Sequence, residues 1–408
     1  MRGSVVKRVD AKGKARYYAV IEDVAADGTR RRRWHSDPAT GSAFTSKRDA
    51  EKALSGLVVA VQSGGYVAPA SLTVGEWADR WLARAEDRLR PSTLASYEKN
   101  LRVHVKPHIG EVRLQSLSAA HLDDMYARLR VDGKHVKGHQ PSPLSARTVR
   151  YVHVITKALL SDAVRYGILS RNPADGATPP SAKSTSAATG TLTTWAATDV
   201  ADFLEGAQAH RYGPLFAFLA LSGARRGEAL GLRWTDVDIG RRRASITSSV
   251  GRVSGKIIEG GTKTGAGRRP IALDSSILDA LAEQRARQHR DRDLVGAGYR
   301  DQGLVFAAPE GSYVNPEHVS RVFKSEVQRL GLPPIRLHDL RHTWATLALQ
   351  SGVHPRVVQE RLGHSNVTIT LQVYSHVAPL MHDEAAATVA GLIEAARDPK
   401  VTRLRQVR

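Results

Sequence analysis

Within the stretch HDLRH, His338 and His342 stand four apart, as two zinc ligands on one helix face would. His338 and Arg341 stand three apart, within reach of a single phosphate. The zinc reading wants a glutamate beside the first histidine as base, but Asp339 is there, and no third ligand is evident. The phosphate reading needs a guanidinium to grip non-bridging oxygens and an imidazole to handle protons, and both are present. A helix is expected over 336–352, with Leu337, Leu340, Trp344, Leu347 and Ala348 as its apolar stripe and Gln350-Ser351-Gly352 as its stop. A short helix, HPRVVQERLG, follows, with Pro355 at its start and Gly363 past its end. His364 comes next, and ten residues on Tyr374 could supply a nucleophile. Taken singly, His364 would satisfy a helix end and Tyr374 would pack in an apolar face.

Other chemistries find less support. With no cysteine, disulfides, thiolate metal sites and thiol nucleophiles are excluded. No G-x-x-x-x-G-K-[ST] loop is present, and GRVSGKI misses both its spacing and its hydroxyl. Sixty Lys+Arg against 40 Asp+Glu leave a formal charge of +20, which favours a polyanionic partner. The N-terminus lacks an apolar signal core, and no stretch approaches the roughly 18 uninterrupted apolar residues of a membrane span. The expectation is a soluble protein kept in the cytoplasm.

These residues need elements to position them. Residues 1–65 form a small basic unit of net charge +6. YYAVIEDV reads as a strand, Asp27-Gly28 as a hairpin turn, and Ser46 as the N-cap of the helix that follows. Arg30 to Arg33 and Trp34 lie on that hairpin, either as a β-ribbon for a DNA groove or as a solvated basic face. GGYVAPAS (64–71) is a linker. Residues 70–176 read as all-helical, with one helix carrying Val74, Trp77, Trp81 and Leu82, a second begun after Pro91 with Ser92 as cap, and two more, SAAHLDDMYARLR and ARTVRYVHVITKALLSDAVRYGIL. A polar linker, 175–190, leads to a mixed domain over 191–398 with a β-hairpin in ASITSSVGRVSGKIIEGGTKTGAGRRPIALD. Residues 399–408 form a basic tail.

Several of these boxes occur together and in order. LALSGARRGEALGLRWTDVD, the hairpin lysine, LHDLRHTWATLALQSG and VVQERLGHSNVTITLQVYSHV resemble the signature of the tyrosine recombinase, or phage integrase, family. By that resemblance Arg225 is the first catalytic arginine, Glu228 buttresses its turn, His338 and Arg341 form the H-x-x-R pair, His364 completes the last box and Tyr374 is the nucleophile. Lys263 takes the place of the hairpin lysine, with Lys256 on the same hairpin as the alternative. Asp339 and His342 take capping and packing roles. NVTITLQVY alternates as a strand would, whereas the family places its tyrosine on a short helix.

The resemblance implies an α+β multidomain chain. A β-rich arm-binding domain (1–65) precedes an all-helical core-binding domain (70–176) and a mainly helical catalytic domain (191–398). It implies site-specific cutting and rejoining of double-stranded DNA through a 3′-phosphotyrosine, with no cofactor or metal, by a homo-tetramer serving a phage or mobile element. An accessory DNA-bending or directionality protein is a further possible partner. The rival readings are a type IB topoisomerase, which relaxes one duplex as a monomer, and a non-catalytic DNA-binding regulator.

Overall fold

The computed structural model describes residues 3–24, 30–37, 40–62, 66–67, 70–135, 138–181, 193–261, 268–363, 390–391 and 393–394. The chain divides into two compact units, Met1–Ala188 and Thr189–Arg408.

The first unit holds two separate hydrophobic cores. One lies under a three-stranded antiparallel sheet, β1 (Gly3–Val9), β2 (Ala15–Val24) and β3 (Arg30–His35), backed by α1 (Lys47–Gln62). The expected hairpin is β2–β3; its Asp27-Gly28 turn lies outside the described residues. Strand β1 was not expected, and GSVVKRV does not alternate along it, since Val5 and Val6 are adjacent and Lys7 and Arg8 follow. Ala19 and Phe44 pack with Ala50 of α1. On the sheet's other face Val20 is in register with Trp34, so Tyr18 and Arg8 lie on Trp34's side. The Arg8 guanidinium stands 4.4 Å from the Trp34 ring, and Tyr18 meets that ring edge-on at 5.5 Å.

The second core is helical: α2 (Val74–Ala85), α3 (Pro91–Asn100), α4 (Lys106–Ile109), α5 (Ala119–Asp132) and α6 (Ala146–Arg165). Thr73 and Glu76 form a capping box at the start of α2. Trp77 is buried and donates its indole N–H to the Leu159 carbonyl of α6 at 3.0 Å; Trp81 donates to Asp162 at 2.8 Å. Ser92 is not the cap of α3. Pro91 already occupies the first helical turn, where its missing N–H costs nothing, so the cap position falls to Arg90. A π-turn, Leu101–Val105, joins α3 to α4.

The second unit is built around α8 (Gly213–Ser222), whose GPLFAFLALS is apolar on all sides and therefore central. Before it comes α7 (Ala197–Gly206), and Trp195, Phe203, Phe216 and Phe323 form an aromatic cluster with centroids 5.1–5.9 Å apart in the contacting pairs. After α8 come α9 (Arg226–Leu230), a small sheet of β4 (Val237–Asp238), β5 (Arg243–Ile246) and β8 (Arg269–Ala272), and a ribbon of β6 (Ser248–Val253) and β7 (Lys256–Gly261). The expected single hairpin is thus split between two sheets. The ribbon turns at Ser254 and Gly255, both at positive φ. Helices α10 (Ser275–Val295), α11 (Pro316–Arg329), α12 (Asp339–Gln350) and α13 (Pro355–Leu362) follow. Helix α12 starts three residues later than 336, because Leu337 and His338 form a turn. Within DEAAATVAGLIEAARD (383–398), residues 390, 391, 393 and 394 are described and helical. No helix among the described residues is long and apolar enough to cross a membrane.

Candidate active site

Three turns meet at one place in the second unit. Helix α8 ends at Gly223, a left-handed residue (φ 69°). A Cβ there would lie 2.9 Å from Leu362 Cδ2 and 3.2 Å from the Trp344 ring, so glycine is required both by conformation and by space. Arg225 follows two residues on, as the N-cap residue of α9.

The R-x-x-E spacing of this turn has a local cause. Glu228 is the third residue of α9, from which its carboxylate reaches back to the Arg225 N–H at 2.9 Å. The same carboxylate accepts from Arg225 Nη1 at 2.7 Å. The entry to α12 repeats the device: Asp339 accepts from the Arg336 N–H at 2.8 Å and from its Nε and Nη2 at 3.0 and 2.8 Å. The N-cap position is His338 and carries no side-chain cap bond, so Asp339 braces the turn before α12 and does not cap the helix as expected. Burial would raise its pKa, but the Arg336 hydrogen bonds and charge outweigh that and hold it low.

Arg341 sits two residues further along α12 and is buried. Its Nη1 donates to the Gly223 carbonyl at 2.9 Å and its Nη2 to the Leu362 carbonyl at 2.6 Å. Arg225 Nη2 reaches the carbonyl of Gly363, the next residue, at 3.3 Å. Arg225 and Arg341 are thus tied to the same two turns, but they differ in access. Arg225 retains 39% of its side-chain exposure, whereas Arg341 lies within the fold. Gly363 closes α13 at φ 66°.

His338 stands at the N-cap position of α12, with one side open to solvent. Its ring meets His342 edge-on, centroids 5.3 Å apart. Its pKa falls to about 4, first through desolvation by the surrounding protein and then through the charges of His342 and Arg341; Arg225 adds to the fall and Asp339 opposes it. The imidazole is accordingly neutral at pH 7 and able to accept a proton. His342 is also lowered, chiefly by desolvation. Among the described residues no three His, Cys, Asp or Glu side chains are grouped to hold a metal ion.

Arg225, His338 and Arg341 are therefore brought together. Lys263, His364 and Tyr374 lie outside the described residues, although Gly363, the residue before His364, is at the meeting point. Lys256 is described and begins β7, beside the ribbon's turn. Two arginines that sequence reasoning missed complete the surroundings. Arg269 of β8 pairs with Glu228, and Arg361 of α13 donates to the carbonyls of Leu221, Ser222 and Ala272 while lying over the Trp344 ring at 5.0 Å. Their only sequence signal is position, Arg269 late in the expected hairpin stretch and Arg361 in ERLGH.

Comparison with known proteins bears on the same region. Residues 193–381 match the domain described as Phage integrase family, and residues 73–130 match Phage integrase, N-terminal SAM-like domain; together they span more than half of the chain. A tyrosine recombinase XerC-like protein of Caldanaerobacter subterraneus subsp. tengcongensis is 27% identical over 367 residues, 85% of this chain and 90% of the relative. An integrase of Saccharopolyspora erythraea is 24% identical over 369 residues, 77% of this chain and 81% of the relative. Two solved structures share the fold. The Tn1549 transposon integrase in complex with a circular intermediate DNA has a TM-score of 0.62 at 19% identity, over 77% of this chain and 100% of that one. A lambda integrase tetramer bound to a Holliday junction has a TM-score of 0.53 at 17% identity, over 90% and 94%. With the motif boxes in order, two arginines and a histidine converging, and domain matches on both units, the chain belongs to the phage integrase family of tyrosine recombinases.

Proposed function

We propose that this recombinase cuts and rejoins double-stranded DNA at a specific site, with Tyr374 as nucleophile, to integrate or excise a phage or mobile element. The Tyr374 hydroxyl attacks a phosphodiester in line, forming a 3′-phosphotyrosine and releasing a 5′-hydroxyl. Arg225 and Arg341 offset charge developing on the non-bridging oxygens. His338 takes the tyrosine proton and returns it in the reverse step. His364 hydrogen-bonds a phosphate oxygen, and Lys263 protonates the departing 5′-oxygen. The covalent link conserves the energy of the broken bond, so a 5′-hydroxyl from another strand can reseal it without ATP.

One observation carries this reading. The side chains of Arg225 and Arg341, from segments far apart in sequence, bond to the adjacent carbonyls of Gly363 and Leu362, immediately before His364. The basic sheet with Trp34 between Arg8 and Tyr18 supports residues 1–65 as an arm-type DNA-binding domain. Residues 70–176 then hold the core site, 191–398 catalyse, and 399–408 form a basic tail. Strand exchange needs four protomers on two duplexes, and a DNA-bending or directionality protein would act beside them.

The test is covalent capture. The full chain is incubated with a random-sequence duplex library, and denaturant-resistant adducts are sequenced. Tyr374→Phe should bind the captured duplex but yield no adduct. A resistant band from that variant would remove Tyr374 from the mechanism.

A further inference from the structure

One carboxylate serves two arginines beside the candidate phosphate site. Glu228 is 3% exposed, and its two oxygens accept from Arg225 as described. They also accept from Arg269, Nη1 to Oε1 at 3.2 Å and Nη2 to Oε2 at 2.9 Å. The second pair is a fork-on-fork arrangement in which both nitrogens of one guanidinium face both oxygens. The two arginines differ in what else they can reach. The Arg269 side chain is 6% exposed and also donates through Nε to the Arg361 carbonyl, whereas the Arg225 side chain is 39% exposed. Burial alone would raise the Glu228 pKa, yet it is lowered, with Arg269 acting ahead of Arg225.

Charge arithmetic gives this a consequence. An arginine paired alone with a buried carboxylate is a neutral unit and a weak ligand for phosphate. Two arginines on one carboxylate leave one positive charge, and the one that is open to solvent is Arg225. We propose that Arg269 is a positioning residue for the cleavage chemistry: by holding the Glu228 carboxylate bidentately, it prevents that carboxylate from neutralising Arg225. The inference rests on the reading of Arg225 as a phosphate ligand. Glu228 can then fix the Arg225 turn through the backbone N–H without cancelling its charge.

The test is a double-mutant cycle on the full chain, reading adduct formation on the captured duplex and non-covalent binding separately. Arg269→Met should slow adduct formation roughly 10- to 100-fold. Binding, which draws on many other phosphate contacts, should change little. Arg269→Lys, which keeps the charge, should lie between. In a Glu228→Gln background there is no carboxylate to occupy, so adding Arg269→Met should cost little further rate. A loss of equal size in both backgrounds overturns the proposal, because a scaffold role does not depend on the charge of Glu228. A duplex whose scissile phosphate carries a methyl in place of one non-bridging oxygen is neutral there, and on it the Arg269→Met deficit should shrink; an undiminished deficit also overturns it. If Arg269→Met alone takes from Glu228 its buried bidentate partner and fails to fold, the double variant decides against wild type: cleavage lost in a folded double variant counts against the proposal, and cleavage kept supports it. Arg225→Ala separates the two ideas. If it cleaves normally, the reading of Arg225 fails; if it is inactive while Arg269→Met is normal, only the role of Arg269 fails.

Discussion

Arg341 and Gly223 are joined by a hydrogen bond of 2.9 Å, so the second arginine of the site fixes the backbone turn that presents the first. Its other terminal nitrogen fixes Leu362 at 2.6 Å. A lysine carries the same charge but cannot span two carbonyls with a rigid fork. Arg341→Lys should therefore lose both alignment and phosphate grip. Adduct formation should fall by about 10²–10³-fold. Stability should fall by about 1–3 kcal/mol, since two buried carbonyls lose their donor. Rates on the captured duplex and thermal unfolding check this; wild-type cleavage by Arg341→Lys would show that only the charge matters.

Gly223→Ala isolates the turn itself. Its φ of 69° is costly for alanine, and the added Cβ meets Leu362 and the Trp344 ring. Gly352 has a similar φ of 78° with nothing within 4 Å of a built Cβ, which makes it the control for strain alone. Gly352→Ala should cost about 1–2 kcal/mol. Gly223→Ala should cost more and should also slow cleavage, because Arg225 moves with the turn. Equal losses in the two variants would mean that the contact with Leu362 is absorbed without consequence.

The low pKa of His338 sets a pH dependence. Its folded value, about 4, lies below the ordinary 6.5, so the folded chain favours the neutral ring. The stability this contributes is fully present above pH 6.5 and is lost as pH falls towards 4. Melting temperature should therefore drop less steeply over that window in His338→Gln than in wild type. Cleavage at low DNA concentration, which reports the free protein, should keep its acid limb well below 6.5. Parallel melting curves for the two proteins would show that the ring titrates normally.

What the sequence revealed was mostly local. R-x-x-E is legible because Glu228 caps the very turn it follows, and Ser46, read as the cap of α1, accepts from the Arg48 N–H at 3.2 Å just before that helix. Ser92 misled because a serine near Pro91 looks like a cap, while proline's own preference for the first turn moves the cap to Arg90. Arg361 could not be assigned because its partners, Leu221 and Ser222, lie across the fold on α8, and nothing in ERLGH encodes them. Arg269 is hidden for the same reason, since Glu228 is its partner only once β8 and α9 are packed. Arg341 was found by motif spacing, but its burial and its bonds to two carbonyls were not.

The choice between Lys263 and Lys256 is open to a chemical test. Lys256 starts β7 opposite Val253 at the ribbon's turn, while Gly261 ends the strand opposite Ser248, whose hydroxyl donates to the Gly231 carbonyl just after α9. The two ends of this strand are roughly 17 Å apart, and Lys263 itself lies outside the described residues. Lys263 follows the end beside Gly231. A departing 5′-alkoxide needs a proton as its bond to phosphorus breaks, and general-acid help of this kind contributes about 10²–10⁴-fold. Lys263→Ala should slow cleavage by about that factor. With sulfur in place of the bridging 5′-oxygen, a thiolate leaves without a proton, and the variant should recover. Arg225→Ala should not recover, because its role concerns the non-bridging oxygens. Lys256→Ala should be near wild type on both substrates. Rescue of Lys256→Ala and not of Lys263→Ala would move the acid to the other end of β7, and rescue of neither would place it off the ribbon altogether.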